Sequence, residues 1–179
     1  IFHEISDDVF KKIKSDSNFL FVDPQGFLRQ KDSNGNVILK KTDLDLYDVN
    51  AIKINPEEGQ NIVSGSHDEM MLALQKKGIE YVLLTNKVDV SLLVKNRVYS
   101  LKLPNKNVHD TTGIGDIFCS AFTCTMLKEK DFLWALCFAA GSAQAALESN
   151  NVGLQKIPKK GMVENNASYF YNLVDFRDL

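Results

Sequence analysis

The stretch "HDTTGIGDIF", His109–Phe118, decides how this chain is read. Two threonines and two glycines stand between Asp110 and Asp116, and an apolar stripe begins at once. Ile114, Ile117, Phe118, Ala121 and Phe122 recur at helical spacing. Glycines at 113 and 115 let successive backbone N–H groups point into one concavity at the positive end of the following helix. Such a concavity binds phosphate oxygens or other anions. Asp116, in the first turn of that helix, has two readings. It complements the helix dipole, or it is a general base that faces a substrate hydroxyl. In the second reading the N–H groups of residues 113–116 stabilise charge on a transferred phosphoryl group. The sequence has no P-loop, whose glycine-rich turn ends in Gly-Lys-Ser or Gly-Lys-Thr, and no dinucleotide-binding glycine fingerprint after a strand.

Outward from the turn, strands and helices alternate. "FLFVDP" (19–24) predicts a buried strand that stops at Pro24, "VNAIKIN" (49–55) a second and "EYVLLT" (80–85) a third. Helices are predicted over 7–14, from Pro56 in a favourable first position, over 68–78, from Ile114, over 132–147 and over about 158–173. The 132–147 segment is apolar nearly all round and reads as a buried helix. Asn34-Gly35 predicts a hairpin or loop. "VSLLV" and "VYSLKL", on either side of Lys95–Arg97, suggest antiparallel strands. Strands followed by helices give an α/β layer with a mainly parallel sheet. Ligands in such sheets bind beyond the carboxyl ends of the strands, where Asp23, Asn55 and Thr85 fall.

At 179 residues the chain is long enough for one domain with a real core, and 44% hydrophobic with 25% charged residues is ordinary for a globular protein. A net charge of −2 offers no basic face to nucleic acid or an anionic membrane. Signal-peptide and membrane-spanning patterns are absent from the sequence, so a cytoplasmic location is expected. Cys119, Cys124 and Cys137 lie in apolar helical stretches without metal-ligand spacing, and burial in a reducing compartment is expected for all three. The chain opens "IFHEIS" without an initiator methionine, as a fragment would.

"DTTGIGDIF" (Asp110–Phe118) resembles the DTTGAGDxF signature of the ribokinase-like, PfkB-type carbohydrate kinases, with Ile114 in place of alanine. "NPEE" (Asn55–Glu58) resembles the NxxE element of the same family. "DPQGFLR" (Asp23–Arg29) resembles a stretch of its fructokinase-like and inositol-kinase-like members. "CFAAGSAQAALESNNVG" (Cys137–Gly153) is similar to the alanine-rich helix and glycine loop that flank the adenine. The resemblance covers roughly residues 1–173 and corresponds to the C-terminal part of such a kinase.

The resemblance implies a ribokinase-like three-layer fold, a mainly parallel sheet flanked by helices, present as an incomplete C-terminal portion. Residues 1–179 would be the nucleotide-binding and catalytic part, without the N-terminal sugar-binding part and lid. It further implies that Asp116 is the general base and that Gly113, Ile114 and Gly115 form the anion hole. Asn55 and Glu58 would hold magnesium and phosphate, Glu58 through water because Mg²⁺ keeps several waters. Thr85, Asn55, Thr112, Ala140, Asn150 and Gly153 would line the nucleotide, and Asp23 and Arg29 would face the substrate. Asp110, Thr112 and Gly153 match positions that line a monovalent-cation site, for potassium, beside the anion hole. The implied activity is transfer of the γ-phosphoryl group of ATP to a hydroxyl of a small sugar, polyol or nucleoside. The rival reading is a non-catalytic nucleotide-binding or assembly module derived from such a kinase. One departure favours the rival: family members carry TxGxxG after the third strand, and Lys87 and Val90 stand at those glycines. The chain by itself is expected to be inactive as a sugar kinase and to associate with a second copy or with the missing N-terminal part.

Overall fold

The computed structural model describes residues 5–104, 110–149 and 151–179. Helix α1 (Asp7–Asp16) is followed by strand β1 (Phe21–Val22), a one-turn helix α2 (Gln25–Leu28), and the strands β2 (Arg29–Lys31) and β3 (Val37–Leu39). Next come β4 (Ala51–Ile54), α3 (Pro56–Ile62), α4 (His67–Lys76) and β5 (Tyr81–Asn86), then β6 (Asp89–Val94) and β7 (Arg97–Lys102). Helices α5 (Ile114–Glu129) and α6 (Phe132–Leu147), a 3-10 turn (Gly153–Lys156), α7 (Lys160–Tyr171) and β8 (Asp175–Asp178) complete the order.

Six strands join in the order β1-β4-β5-β6-β7-β8. β1 and β4 are parallel, with Phe21 opposite Ala51, and β4 and β5 are parallel, with Ile54 opposite Leu84. All four residues of β4 are buried, as befits a strand covered on both faces. Two-residue links join β5 to β6 and β6 to β7, and so short a link fits only antiparallel neighbours. Lys95 and Asn96 take φ of 47° and 64°, the pair of positive values a tight hairpin turn requires. β2 and β3 form a separate antiparallel ribbon, with Arg29 opposite Leu39, around the Asn34-Gly35 turn read from the sequence.

Two compact units divide the chain. The first comprises Ile1–Asn86, Ser91–Val98 and Asp178–Leu179, and the second Lys87–Val90 and Tyr99–Arg177. In the first unit Ile52, Ile54, Met71, Leu74, Val82 and Leu84 belong to one buried cluster. Helix α4 starts on a reciprocal cap between Ser66 and Glu69. In the second unit α6 packs against both α5 and α7 and, apart from Phe138, is buried from Ala135 to Ala146. Asp131 begins α6 by accepting from the N–H groups of Leu133 and Trp134. Among the described residues no helix is long and apolar enough to cross a membrane.

Three elements escaped the sequence reading: α2, the 3-10 turn and β8. The 3-10 turn separates α7 from the glycine loop, so the last helix starts at Lys160 rather than near 158. The cysteines need correction as well. Cys137 is buried, but Cys119 is only partly covered and Cys124 is exposed, because the apolar stripe of α5 is broad enough to leave one edge outside.

Candidate functional site

In the first unit, a polar cluster gathers where the parallel strands end. The Lys53 ammonium, on β4, donates to Asp23 Oδ2 at 2.6 Å, and Lys53 is only 8% exposed. Asp23 Oδ1 accepts from the Gln25 N–H at 3.2 Å, which ties the end of β1 to the start of α2. Asn55 follows β4 and caps α3, and Pro56 takes the first helical position, where its missing N–H costs nothing. Asn55 Oδ1 accepts from the Glu58 N–H at 2.8 Å, and Glu58 Oε2 accepts from the Asn55 N–H at 2.9 Å. Gln25 Nε2 donates to Glu58 Oε1 at 3.4 Å. Glu58 is 2% exposed, and this burial pushes its carboxyl above the usual range. The Asn55 N–H opposes the shift, the charge of Asp23 adds to it, and Lys53 opposes it.

Asp23, Asn55 and Glu58 are therefore brought together, and the Thr85 hydroxyl on β5 lies 3.5 Å from the Ile54 carbonyl oxygen of β4. Arg29 heads β2 in the separate ribbon. Lys53 was missed. Its signal was a lysine inside the otherwise apolar strand "AIKI". Both carboxylate oxygens of Glu58 already accept hydrogen bonds from protein donors. A water between this carboxylate and a metal ion is an arrangement that Mg²⁺, which keeps several of its waters, accommodates. Among the described residues no group of three or more His, Cys, Asp or Glu side chains is placed to hold a metal ion.

In the second unit, the loop into α5 is held from below. Asp110 Oδ1 accepts from the Thr112 N–H at 2.8 Å, an Asx turn. The Lys156 ammonium, on the 3-10 turn, donates to the Asp110 carbonyl oxygen at 2.7 Å, to Asp110 Oδ2 at 3.1 Å and to the Thr112 carbonyl oxygen at 3.2 Å. Lys156 is 3% exposed. The Thr112 hydroxyl first, then the Thr112 N–H, then Lys156 hold the Asp110 carboxyl down at about 2. Among the oxygens expected to line a potassium site, those of Asp110 and Thr112 thus already accept from the Lys156 ammonium. Lys156 gave no sequence signal, lying in the lysine-rich "LQKIPKK".

Gly113 is the N-cap of α5, with φ of 77° in the left-handed region that glycine adopts without strain. It offers no side chain to the helix end. The Ile114 N–H donates to the Thr111 carbonyl oxygen at 3.2 Å, and the Ile117 N–H to that of Gly113 at 2.9 Å. The N–H groups of Gly115 and Asp116 are left without a partner among the described residues. The Ile114 donor, expected in the anion hole, points within the turn to Thr111. The Asp116 side chain is exposed. A mostly apolar cavity of about 530 Å³ reaches Gly113 and Asp116 between walls that include Ile117, Cys124, Phe138 and Leu154.

Of the residues expected along a nucleotide, Thr112 is exposed, and Gly153, with φ of 58°, opens the 3-10 turn that delivers Lys156. Ala140 is wholly buried in α6. Asn150 lies outside the described residues. Lys87 takes φ of 52° at the turn after β5, keeping a glycine-like conformation with a lysine, and Val90 is buried.

No curated protein matches the chain, but solved structures do. A pyrophosphate-dependent myo-inositol-1 kinase converted into a myo-inositol-3 kinase aligns with a TM-score of 0.78 at 19% identity, over 95% of this chain and 60% of that one. A ribokinase from Thermotoga maritima aligns at 0.71 and 16%, over 90% and 53%. The pyridoxal kinase of Entamoeba histolytica aligns at 0.64 and 17%, over 96% and 66%. The chain spans less than two-thirds of the length of each, and at these identities the likeness is one of fold: the ribokinase-like α/β architecture. The profile described as pfkB family carbohydrate kinase matches residues 27–160, which hold both the α3 cap and the α5 turn, and the chain belongs to the pfkB family of carbohydrate kinases.

Proposed function

We propose that this chain is the catalytic part of a kinase that transfers the γ-phosphoryl group of ATP to a hydroxyl of a small sugar, polyol or nucleoside. The N-terminus of α5 carries the reading. It has a left-handed glycine cap, two backbone donors at Gly115 and Asp116 unclaimed among the described residues, and an exposed carboxylate in the same turn. The acceptor oxygen forms its bond to the γ-phosphorus as the bond to the bridging oxygen of ADP breaks, and the acceptor's proton passes to the Asp116 carboxylate. The N–H groups of Gly115 and Asp116 stabilise the charge on the transferring group without reorganising. Asn55 and Glu58 would hold magnesium, and that ion would supply neutralising charge to the phosphates. The cytosol, with its ATP and reduced thiols, suits this chemistry.

Inorganic pyrophosphate is the second reading of the donor. Lys87 and the buried Val90 replace glycines that approach a nucleotide in the family, and Ala140 is core. One kinase of the same fold is itself pyrophosphate-dependent. The test is an assay of the protein containing this chain with ATP and with pyrophosphate, at saturating magnesium, against panels of sugars, polyols and nucleosides. Asp116→Asn should lower turnover ~10²–10⁴-fold while donor binding persists. A variant that keeps more than about a tenth of wild-type turnover removes Asp116 from the base role. No transfer from either donor would favour the non-catalytic module.

A further inference from the structure

We propose that Lys156 is a built-in cation: its ammonium takes the seat beside the α5 turn where a diffusible monovalent ion would sit, and it positions the turn for anion binding. An ammonium has three N–H donors and no acceptor, and each of the three meets an oxygen here: Asp110 O, Asp110 Oδ2 and Thr112 O. The group is almost completely buried, and a buried charge persists only where it is paired and hydrogen-bonded. Carbonyl and carboxylate oxygens that converge in this way are also what a potassium ion asks of a protein. A second cation would be driven against the first and would compete with it for the same three oxygens.

The position matters as much as the charge. All three acceptors belong to the two residues that lead through Thr112 into Gly113. In a trans peptide unit the C=O and N–H point in opposite directions. Drawing the Thr112 carbonyl oxygen toward Lys156 therefore turns the Gly113 N–H away from the lysine, on the side opposite the buried cation. Gly153, at φ of 58°, begins the 3-10 turn that presents the lysine, so the glycine loop is the mount for the cation. Lys156 is a positioning residue, and its charge also lies under the turn to which an anion is drawn.

This inference rests on the reading of residues 110–116 as the anion-binding turn, and its first measurement needs no activity. Thermal unfolding of the wild-type protein is followed in sodium, potassium and choline chloride at equal ionic strength, and binding of inorganic phosphate and pyrophosphate is measured by titration calorimetry in the same salts. The wild type should show one Tm and one anion affinity in all three. Lys156→Met should lower the Tm and weaken anion binding about tenfold or more, the scale of one lost charge-assisted hydrogen bond. Potassium or ammonium, but not choline, should restore both. Selective stabilisation of the wild type by potassium would overturn the proposal, because it would reveal a vacant cation seat. So would a Lys156→Met protein whose anion affinity is unchanged, since Lys156 would then be structural only. If Lys156→Met fails to fold, the wild-type salt comparison decides alone. If neither protein binds phosphate or pyrophosphate, the functional reading of the turn fails, while the Tm comparison still judges the cation seat.

Discussion

Asn55 and Glu58 cap one another, each side chain accepting from the other's backbone N–H, at 2.8 and 2.9 Å. The pair that the family likeness assigns to magnesium is thus also the entry to α3. Asn55→Ala should destabilise the fold by about 1 kcal/mol, the usual cost of a lost cap. Glu58→Gln keeps the shape and removes the buried charge. Burial holds the Glu58 carboxyl above its ordinary 4.5, so the folded state keeps that proton to higher pH than the unfolded state does. Wild-type stability should therefore fall as pH rises above 4.5 and through the raised value, and Glu58→Gln should escape that loss. Urea unfolding of both proteins across this range checks it, and a gap independent of pH would mean that Glu58 is not desolvated. In the active protein Glu58→Gln should also raise the magnesium concentration for half-maximal rate. An unchanged titration would leave the segment as a helix entry alone.

Asp110 has the opposite sign. Its carboxyl is depressed from 3.8 to about 2, so the stability it confers is present above 3.8 and is lost as pH falls toward 2. Asp110→Asn should lower the Tm at neutral pH, because Lys156 loses its only anionic contact among those described. The gap to wild type should close as the pH is taken from 3.8 down to about 2. A gap of full size at the acid end would sink the ionic tie as its cause.

Much of the fold was legible because local and tertiary preferences agree. β4 is an apolar run bounded by Asn55-Pro56, and α5 follows from its stripe and from the glycines that precede it. The site was legible where backbone geometry demands particular residues, as at Gly113. It was not legible where meaning depends on distant partners. Lys156 and Asp110 are 46 residues apart, and nothing local marks that lysine off from Lys159 or Lys160. β8, "DFRD", is exposed at every position, so it lacks the alternation of a half-buried strand. Ala140 shows the same limit, because an alanine-rich helix signals close packing as readily as a nearby ligand.

That close packing can be tested at Gly141. A Cβ there would lie 2.9 Å from the Ala167 backbone nitrogen and 2.9 Å from the Val163 carbonyl oxygen, so α6 and α7 meet backbone to backbone at this point. Alanine improves an isolated helix by about 1 kcal/mol over glycine. Here neither backbone atom can step aside without moving α7, and overpacking typically costs about 1–3 kcal/mol. Gly141→Ala should therefore lower the Tm, by roughly 2–4 °C for each kcal/mol in a chain of this size. An equal or higher Tm would show that propensity wins and that the helices separate freely.

The last prediction concerns the three thiols, which the fold treats differently. Cys137 is wholly buried, and burial pushes its thiol up to about 12, so almost no thiolate exists at neutral pH. Cys119 is partly covered, whereas Cys124 is exposed and lines the cavity that reaches Asp116. Iodoacetamide should mark Cys124 first, Cys119 more slowly and Cys137 only on unfolding, with mass spectrometry reading each site. Equal rates at Cys137 and Cys124 in the native protein would contradict the packing of α6. The same rates report on the cavity. A donor or acceptor that fills it must cover the Cys124 sulfur and slow its alkylation, while Cys119 serves as the internal control for general stabilisation. If ATP slows Cys124 and pyrophosphate does not, the cavity takes the nucleoside part of the donor. If neither does and an acceptor does, the cavity is the acceptor's. Cys124 rates untouched by every ligand that the protein binds would separate the cavity from the site around Asp116.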